Sequence, residues 1–199
     1  MGDPPMPSKL TGLFKTLRWS DFVGTPDANS PHLAFTSTSF TVPTILLSSL
    51  VNDNINVTVK FNASKSWKKM DEINQKKKRT PDQILKHEQG HYDIVALLAR
   101  DLFIELMQLK GNHYKNQAEL NNDVRPTLAK YNGTEKKLMD KYDLPTESDH
   151  GENATGQDKW NRMIQEAFTT PRSPAVFAPD GKAYKVPLLD VLAKNGIKP

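Results

Sequence analysis

Near the middle of this chain, His87, Glu88 and His91 form the pattern H-E-x-x-H. The two histidines are four residues apart, and the glutamate directly follows the first. On an α-helix, residues four apart lie on one face, about 6 Å apart along the axis, so both imidazoles can reach one metal ion. The glutamate is then close enough to accept a proton from a metal-activated water. The pattern predicts a helix that carries part of a zinc-hydrolase site.

The residues around the motif have the signals of one long helix. Thr80 can act as the N-cap, Pro81 suits the first helical position, and Gln83 completes a capping box. Gly111 and Asn112 provide a stop signal. The face that carries both histidines also carries apolar residues at steps of three or four: Ile84, Ile94, Leu98, Leu102, Leu106 and Leu109. Two buried imidazoles beside a carboxylate would lose hydration, and a bound cation would offset that loss, so we favour a metal site.

Composition limits the class of protein. A chain of 199 residues is long enough for one domain of ordinary size, and 37% hydrophobic with 25% charged residues is a globular balance. No apolar run is long enough for an integral membrane segment, and the first residues show no signal peptide. A net charge of +4 is too small and too dispersed to indicate a nucleic-acid partner.

The third metal ligand is not specified by the motif. A catalytic zinc usually has three protein ligands, and the absence of cysteine leaves only histidine and carboxylate. Glu105 is disfavoured because it would lie about 20 Å along the same helix from His91. His150 in a loop between two helices, His113 and Glu119 all stay open on this reasoning.

Along the chain, the sequence pattern changes from one typical of β-strands to one typical of α-helices. Segments 34–42 and 54–61 are rich in Thr, Val and aromatic residues, and the second alternates apolar and polar positions. Helical patterns follow at 113–142, with an expected kink at Pro126 and a break at Gly133, and again at 160–168. The turn signal 179–181 suggests a terminal hairpin.

This order predicts an α+β fold, with an N-terminal antiparallel or mixed sheet packed on the motif helix and a mainly helical C-terminal half. We expect residues 1–16 to be an extension and 17–199 to form a single domain. Within it, 17–69 would be rich in β-structure, 80–170 helical, and 174–199 a hairpin with a short helix.

Further short segments form an ordered set with the motif: 19–26, 36–38, 66–67, 87–94, 99–100, 142–143, 150–151 and 160–161. Over residues 17–165 the chain resembles the family of secreted bacterial zinc-dependent proteases catalogued as domain of unknown function 922. The resemblance implies a zincin-like metallopeptidase with one zinc ion per chain and His150 as the third ligand. It also implies a peptide or protein substrate and a secreted or periplasmic location.

The mechanism predicted for such a site is metal-assisted hydrolysis with Glu88 as general base. Tyr142 is a candidate donor to the oxyanion, with a buried core tyrosine as the alternative. Asp93 could orient a ligand, although we favour a helix-surface aspartate. Strand 54–61 or its neighbour 34–42 would form the sheet edge beside the cleft and bind an extended peptide. Two other classes stay open, namely an amidase acting on peptidoglycan or another non-protein amide, and a zincin-shaped binding protein without activity.

Overall fold

The computed structural model describes residues 8–47, 51–52, 54–75, 78–173, 175, 177, 181 and 183–198. Five α-helices are assigned within these residues: α1 (Met70–Gln75), α2 (Pro81–Met107), α3 (Gln117–Tyr142), α4 (Ala154–Thr169) and α5 (Leu188–Lys194). The strands in the same residues are β1 (Lys9–Thr11), β2 (Ala34–Phe35), β3 (Thr38–Thr41), β4 (Asn56–Phe61) and β5 (Trp67–Lys68). The α+β prediction is confirmed.

Helix α2 is the centre of the fold and begins where the sequence predicts. The Thr80 hydroxyl accepts from the Gln83 amide at 3.2 Å, and the Gln83 side chain accepts from the Thr80 amide at 2.8 Å. From Ile94 to Ala99 every residue is fully buried, so this part of the helix is covered on all sides rather than along one stripe. Helix α2 contacts β3 and β4 as well as α3, α4 and α5. The motif histidines therefore lie on a helix that packs against both the main sheet and three other helices.

The main sheet has the order β1-β4-β3, with β1 parallel and β3 antiparallel to β4. Strand β4 is thus central, so of the two predicted edge strands 54–61 is excluded and 34–42 stays open. The alternation of Val57 and Val59 with polar residues indicates which face of β4 is buried. It does not indicate which strands pair with the two edges of β4, because those strands come from distant segments of the chain. One of these is β1, so the boundary expected at residue 17 starts the domain too late.

Segment 34–42 is divided between two sheets. Strand β2 pairs antiparallel with β5, whereas β3 pairs with β4. Between them, the Ser37 amide donates to the Ser66 hydroxyl at 2.9 Å, and the Ser37 carbonyl accepts from the Asn62 amide at 2.8 Å. Because these bonds replace regular pairing at Thr36 and Ser37, the chain crosses from one small sheet to the other.

Helix α3 is continuous through Pro126 and Gly133, and the expected break at Gly133 is wrong. Its start is also later than predicted, because the Asn116 side chain caps it by accepting from the Glu119 amide at 3.1 Å. The helix buries one stripe on both sides of the glycine: Leu120, Val124, Tyr131, Leu138 and Tyr142. A single glycine in a helix costs about 1 kcal/mol relative to alanine, which this packing outweighs.

The C-terminal segment packs onto the same core. Buried residues of α5, Leu188, Val191 and Leu192, belong to one hydrophobic cluster with the centre of α2. The short terminal helix is confirmed, and antiparallel bridges join Phe177 to Ala183 and Pro171 to Lys185. Residues 179–180 of the predicted hairpin turn lie outside the described residues. In the part of the chain that the structure describes, no helix is long and apolar enough to cross a membrane.

Candidate metal centre

The two motif histidines point their Nε2 atoms at one place. These nitrogens are 3.2 Å apart. Two nitrogen ligands of a tetrahedral metal with bonds of about 2.0–2.1 Å are separated by about 3.3–3.4 Å. His87 and His91 are therefore already at the spacing of two ligands of one ion.

The loop after α3 brings Asp143 and His150 to the same place. Asp143 Oδ1 lies 3.2 Å from Nε2 of His87, 3.2 Å from Nε2 of His91, and 3.6 Å from Nδ1 of His150. Potential ligand atoms of His87, Asp143 and His150 all lie within 4.8 Å of one another. This group could hold a metal ion, and it includes the loop histidine that the resemblance implies.

His150 is held in an unusual backbone conformation. Asp149, His150 and Gly151 have φ values of 50°, 49° and 83°, so three successive residues are left-handed. Each non-glycine residue in that region costs about 1–3 kcal/mol. The Arg79 guanidinium donates to the His150 carbonyl and to the Glu152 carboxylate, which joins this loop to the start of α2.

His32 packs against the loop histidine, with the ring centroids of His32 and His150 4.3 Å apart. The sequence analysis did not identify His32 as a site residue. It lies 55 residues before the motif in a segment without catalytic spacing, so nothing local indicates it.

His87 has a hydrogen-bond partner for its second nitrogen. Its Nδ1 lies 3.1 Å from Gln157 Oε1, while Gln157 Nε2 donates to the Tyr142 hydroxyl at 2.7 Å. Because the amide oxygen is an acceptor, this contact favours the tautomer with hydrogen on Nδ1 and the lone pair on Nε2. Gln157 is thus a positioning residue that the sequence analysis missed.

Tyr142 is part of the packing beneath the motif. Its ring is fully buried and its hydroxyl lies 3.3 Å from the His87 carbonyl. A Cβ at Gly90 would lie 2.2 Å from that hydroxyl, so the phenol fills the space that the glycine leaves. Burial raises the pKa of Tyr142. The hydroxyl is engaged inside the core against α2, which matches the alternative of a buried core tyrosine rather than an oxyanion donor.

Glu88 lines the same cavity as the histidines. This cavity has a volume of about 320 Å³ and is lined by residues 34–38, both motif histidines, Glu88, Asp143 and His150, among others. The Glu88 side chain is 4% exposed, and its Oε2 accepts a 2.7 Å hydrogen bond from the Thr36 hydroxyl. Thr36 was part of a predicted strand, but its contact with the glutamate depends on the tertiary fold.

The charge of Asp143 organises the site. Burial disfavours its ionised form, but the neighbouring imidazoles of His87 and His91 keep the pKa of Asp143 well below its usual range. For His91, burial also disfavours the charged form, yet the Asp143 carboxylate raises its pKa overall. Burial lowers the pKa of His150. At neutral pH, Asp143 is therefore an anion among imidazoles.

The other candidate ligands lie elsewhere. Glu105 Oε1 accepts hydrogen bonds from Lys130 at 2.6 Å and from Tyr131 at 2.7 Å. The Glu119 carboxylate accepts from the Lys115 backbone amide at 2.7 Å. His113 forms an antiparallel β-bridge with Val51. None of the three joins the His87–Asp143–His150 group that the described residues form.

Asp93 also lies apart from the ligands. It accepts from Gln89 at 2.8 Å and borders a different cavity, beside residues 13–16. Burial raises the pKa of Asp93 to about 6. Asp93 is therefore placed away from the candidate ligands, which agrees with the alternative of a helix-surface aspartate.

The donor set fits a metal ion. Asp143 Oδ1 is shielded from solvent, and no N–H or O–H group in the described part of the chain donates a hydrogen bond to it. Imidazole nitrogens and a carboxylate oxygen around such an atom are common ligands of divalent metals in proteins. A cation held between them would satisfy the carboxylate and use the nitrogen lone pairs.

Comparisons with known proteins add no relative. A scan against models of protein families, a search of curated sequences and a search of solved structures each gave no match. The resemblance to the zinc-dependent protease family, with its zincin-like fold, therefore stays a prediction from its motifs.

Proposed function

We propose that this chain is a zinc-dependent metallopeptidase in which His87, His91 and His150 bind the metal and Glu88 is the general base. The observation that carries the proposal is that these four side chains line one cavity, with two imidazole nitrogens already at ligand spacing. Zinc is favoured because it accepts several histidine nitrogens together with an oxygen ligand, and the chain has no cysteine.

A zinc ion at this place would lower the pKa of water and polarise a carbonyl group. Glu88 would accept the proton of the attacking water and deliver it to the leaving amine. The Thr36 hydroxyl holds the carboxylate from one oxygen, which limits its rotation and keeps it directed into the cavity. The low exposure of Glu88 strengthens its interactions with charges that develop during the reaction.

Support for a peptide substrate comes from the sheet edge beside the cavity. Strand β2 pairs only with β5 among the described residues, and residues 34–38 line the cavity wall. An extended peptide could therefore lie along β2 and form main-chain hydrogen bonds there. Such binding tolerates many side chains, as a secreted protease would require. A secreted or periplasmic location is proposed from the resemblance alone.

The proposal is tested with purified, zinc-loaded protein and a library of unstructured peptides. Wild type should cleave peptides, lose activity on chelation and regain it when zinc is returned. Glu88→Gln should retain zinc and the fold but lose at least about 1,000-fold in kcat/KM, because the amide cannot accept the proton. Glu105→Gln, on the same helix but away from the cavity, is the matched control and should behave as wild type.

Two results would overturn the proposal. One is a zinc-loaded wild-type protein that cleaves no peptide in the library, and the other is turnover by Glu88→Gln within a few-fold of wild type. Peptides N-methylated at single positions next to the scissile bond test the β2 edge, since removal of a main-chain donor should slow their cleavage. Equal rates at every methylated position would contradict binding by strand addition.

A further inference from the structure

Asp143 Oδ1 is an unusual atom in this fold. It is shielded from solvent, and no N–H or O–H group of the described residues meets the geometry of a hydrogen bond to it, although two imidazole nitrogens are 3.2 Å away. A buried carboxylate oxygen without a donor is strongly unfavourable unless another positive partner is present. Such a positive partner would lie between Asp143 Oδ1 and the Nε2 atoms of His87 and His91.

The Nδ1 atoms of both motif histidines have contacts of their own, away from Asp143. His87 Nδ1 faces the Gln157 oxygen at 3.1 Å, and His91 Nδ1 faces the sulfur of Met139 at 3.2 Å. In neutral rings with hydrogen on Nδ1, both Nε2 atoms present lone pairs. Three atoms with lone pairs, Asp143 Oδ1 and the two Nε2, then face one another, an arrangement that a cation between them stabilises.

The distances agree with three corners of one coordination shell. Oδ1 of Asp143 and Nε2 of His87 and His91 form a triangle in which every side is 3.2 Å. Two ligands of tetrahedral zinc are about 3.3–3.4 Å apart when the bonds are about 2.0–2.1 Å. His150 Nδ1, 3.6 Å from the carboxylate oxygen, is the next atom of the group.

We propose that Asp143 is itself a metal ligand, so that the site holds its ion with three histidines and one carboxylate. This inference rests on the proposed function in that both require a metal between His87 and His91. It goes beyond the motif, because an H-E-x-x-H site with a third histidine needs no further protein ligand. With His87, His91, His150 and Asp143 all holding the ion, the protein would supply four ligands, and a catalytic water would need a further position.

The direct test uses the absence of cysteine from the chain. Asp143→Cys places the only thiol of the protein at the proposed ligand position, where a sulfur–metal bond of about 2.3 Å partly compensates for the shorter side chain. On loading with Co²⁺, a coordinated thiolate gives a sulfur-to-cobalt charge-transfer band in the near ultraviolet. Asp140→Cys, one turn earlier and lining the same cavity, is the matched control and should give no such band.

A second measurement uses affinity and does not depend on the cysteine variant folding. Asp143→Asn keeps the size of the side chain but removes its charge, and its Zn²⁺ dissociation constant should rise more than about 100-fold, beyond the 10- to 100-fold typical of groups that only orient a ligand. Asp140→Asn removes a charge from the same cavity and should stay within about threefold of wild type, since its exposed carboxylate pairs with Lys136. Circular dichroism of each variant checks that it folds.

The outcomes separate this inference from the proposed function. Wild type that takes up no Co²⁺, or equal uptake by His87→Ala, overturns the metal site and the Asp143 assignment together. A second set of results overturns the Asp143 assignment alone. In that case Co²⁺ uptake needs His87, but folded Asp143→Cys gives no charge-transfer band and Asp143→Asn loses about 100-fold or less in Zn²⁺ affinity. The band together with the larger affinity loss establishes Asp143 as a ligand.

Discussion

The imidazole of His87 and the phenol of Tyr142 are stacked face to face, with centroids 4.7 Å apart and planes inclined by 10°. This contact joins the first motif residue to the last residue of α3, directly before Asp143. The Tyr142 hydroxyl also accepts a hydrogen bond from the side-chain amide of Gln157, whose oxygen contacts His87. The stack therefore helps to fix the position of His87, a candidate metal ligand.

We expect Gly90→Ala to destabilise the protein by about 1–3 kcal/mol, because the new Cβ would lie 2.2 Å from the Tyr142 hydroxyl. A glycine-to-alanine change inside a helix normally stabilises by about 0.5–1 kcal/mol. Gly133→Ala in α3 is the control, since nothing lies within 4 Å of its Cβ, and it should show that ordinary gain. Urea unfolding measures both. Equal gains in the two variants would mean that Tyr142 does not press on Gly90.

For His150→Ala we expect Zn²⁺ affinity to fall at least about tenfold, because one proposed histidine ligand is removed while His87 and Asp143 of the same group remain. His113→Ala, a histidine outside the site, should bind as wild type. Isothermal titration against a competing chelator gives both constants. Unchanged affinity in the first variant would remove His150 from the ligand set.

Replacement of Gln157 by Leu should weaken Zn²⁺ binding by about 10- to 100-fold, since His87 Nδ1 loses the acceptor that keeps its hydrogen away from Nε2. The exposed Gln165 on the same helix provides the control, and Gln165→Leu should leave the affinity unchanged. The metal-to-protein ratio should stay at one in both variants at saturating zinc. A Gln157→Leu protein with wild-type affinity would show that the ring is oriented by stacking alone.

Arg100 and Asp101 should carry much of the stability of the C-terminal half. The buried Arg100 guanidinium donates to Asp101 and to the carbonyls of Ala167 and Val186, while Asp101 accepts from the Leu188 amide. Arg100→Met leaves a buried carboxylate without its cation and should reduce the free energy of unfolding by about 3–5 kcal/mol.

The control for this prediction is Lys136→Met, which breaks the exposed pair between Lys136 and Asp140 and should change stability by less than about 1 kcal/mol. Urea unfolding of the metal-free proteins keeps zinc binding out of the comparison. A loss below about 1 kcal/mol in Arg100→Met would show that the C-terminal segment docks mainly through its apolar contacts.

Local chemistry made much of the fold predictable. The start of α2 depends on Thr80, Pro81 and Gln83, which are adjacent in the chain, and the spacing of His87 and His91 depends only on the helix repeat. The buried face of β4 follows from the alternation of its side chains. These features are set by hydrogen bonds and periodicities within a few residues, so they can be seen in the sequence.

Contacts between distant segments decided the rest. The pairing of β1 with β4, the hydrogen bond from Thr36 to Glu88 and the inward position of the Tyr142 hydroxyl each join residues 47–55 positions apart. Asp143 follows Tyr142 in a segment that the sequence analysis used, yet its position beside the histidines depends on how α3 packs against α2. Helix periodicity specifies one face of one element, whereas the geometry of a metal site depends on packing among several elements, and only the tertiary structure determines that packing.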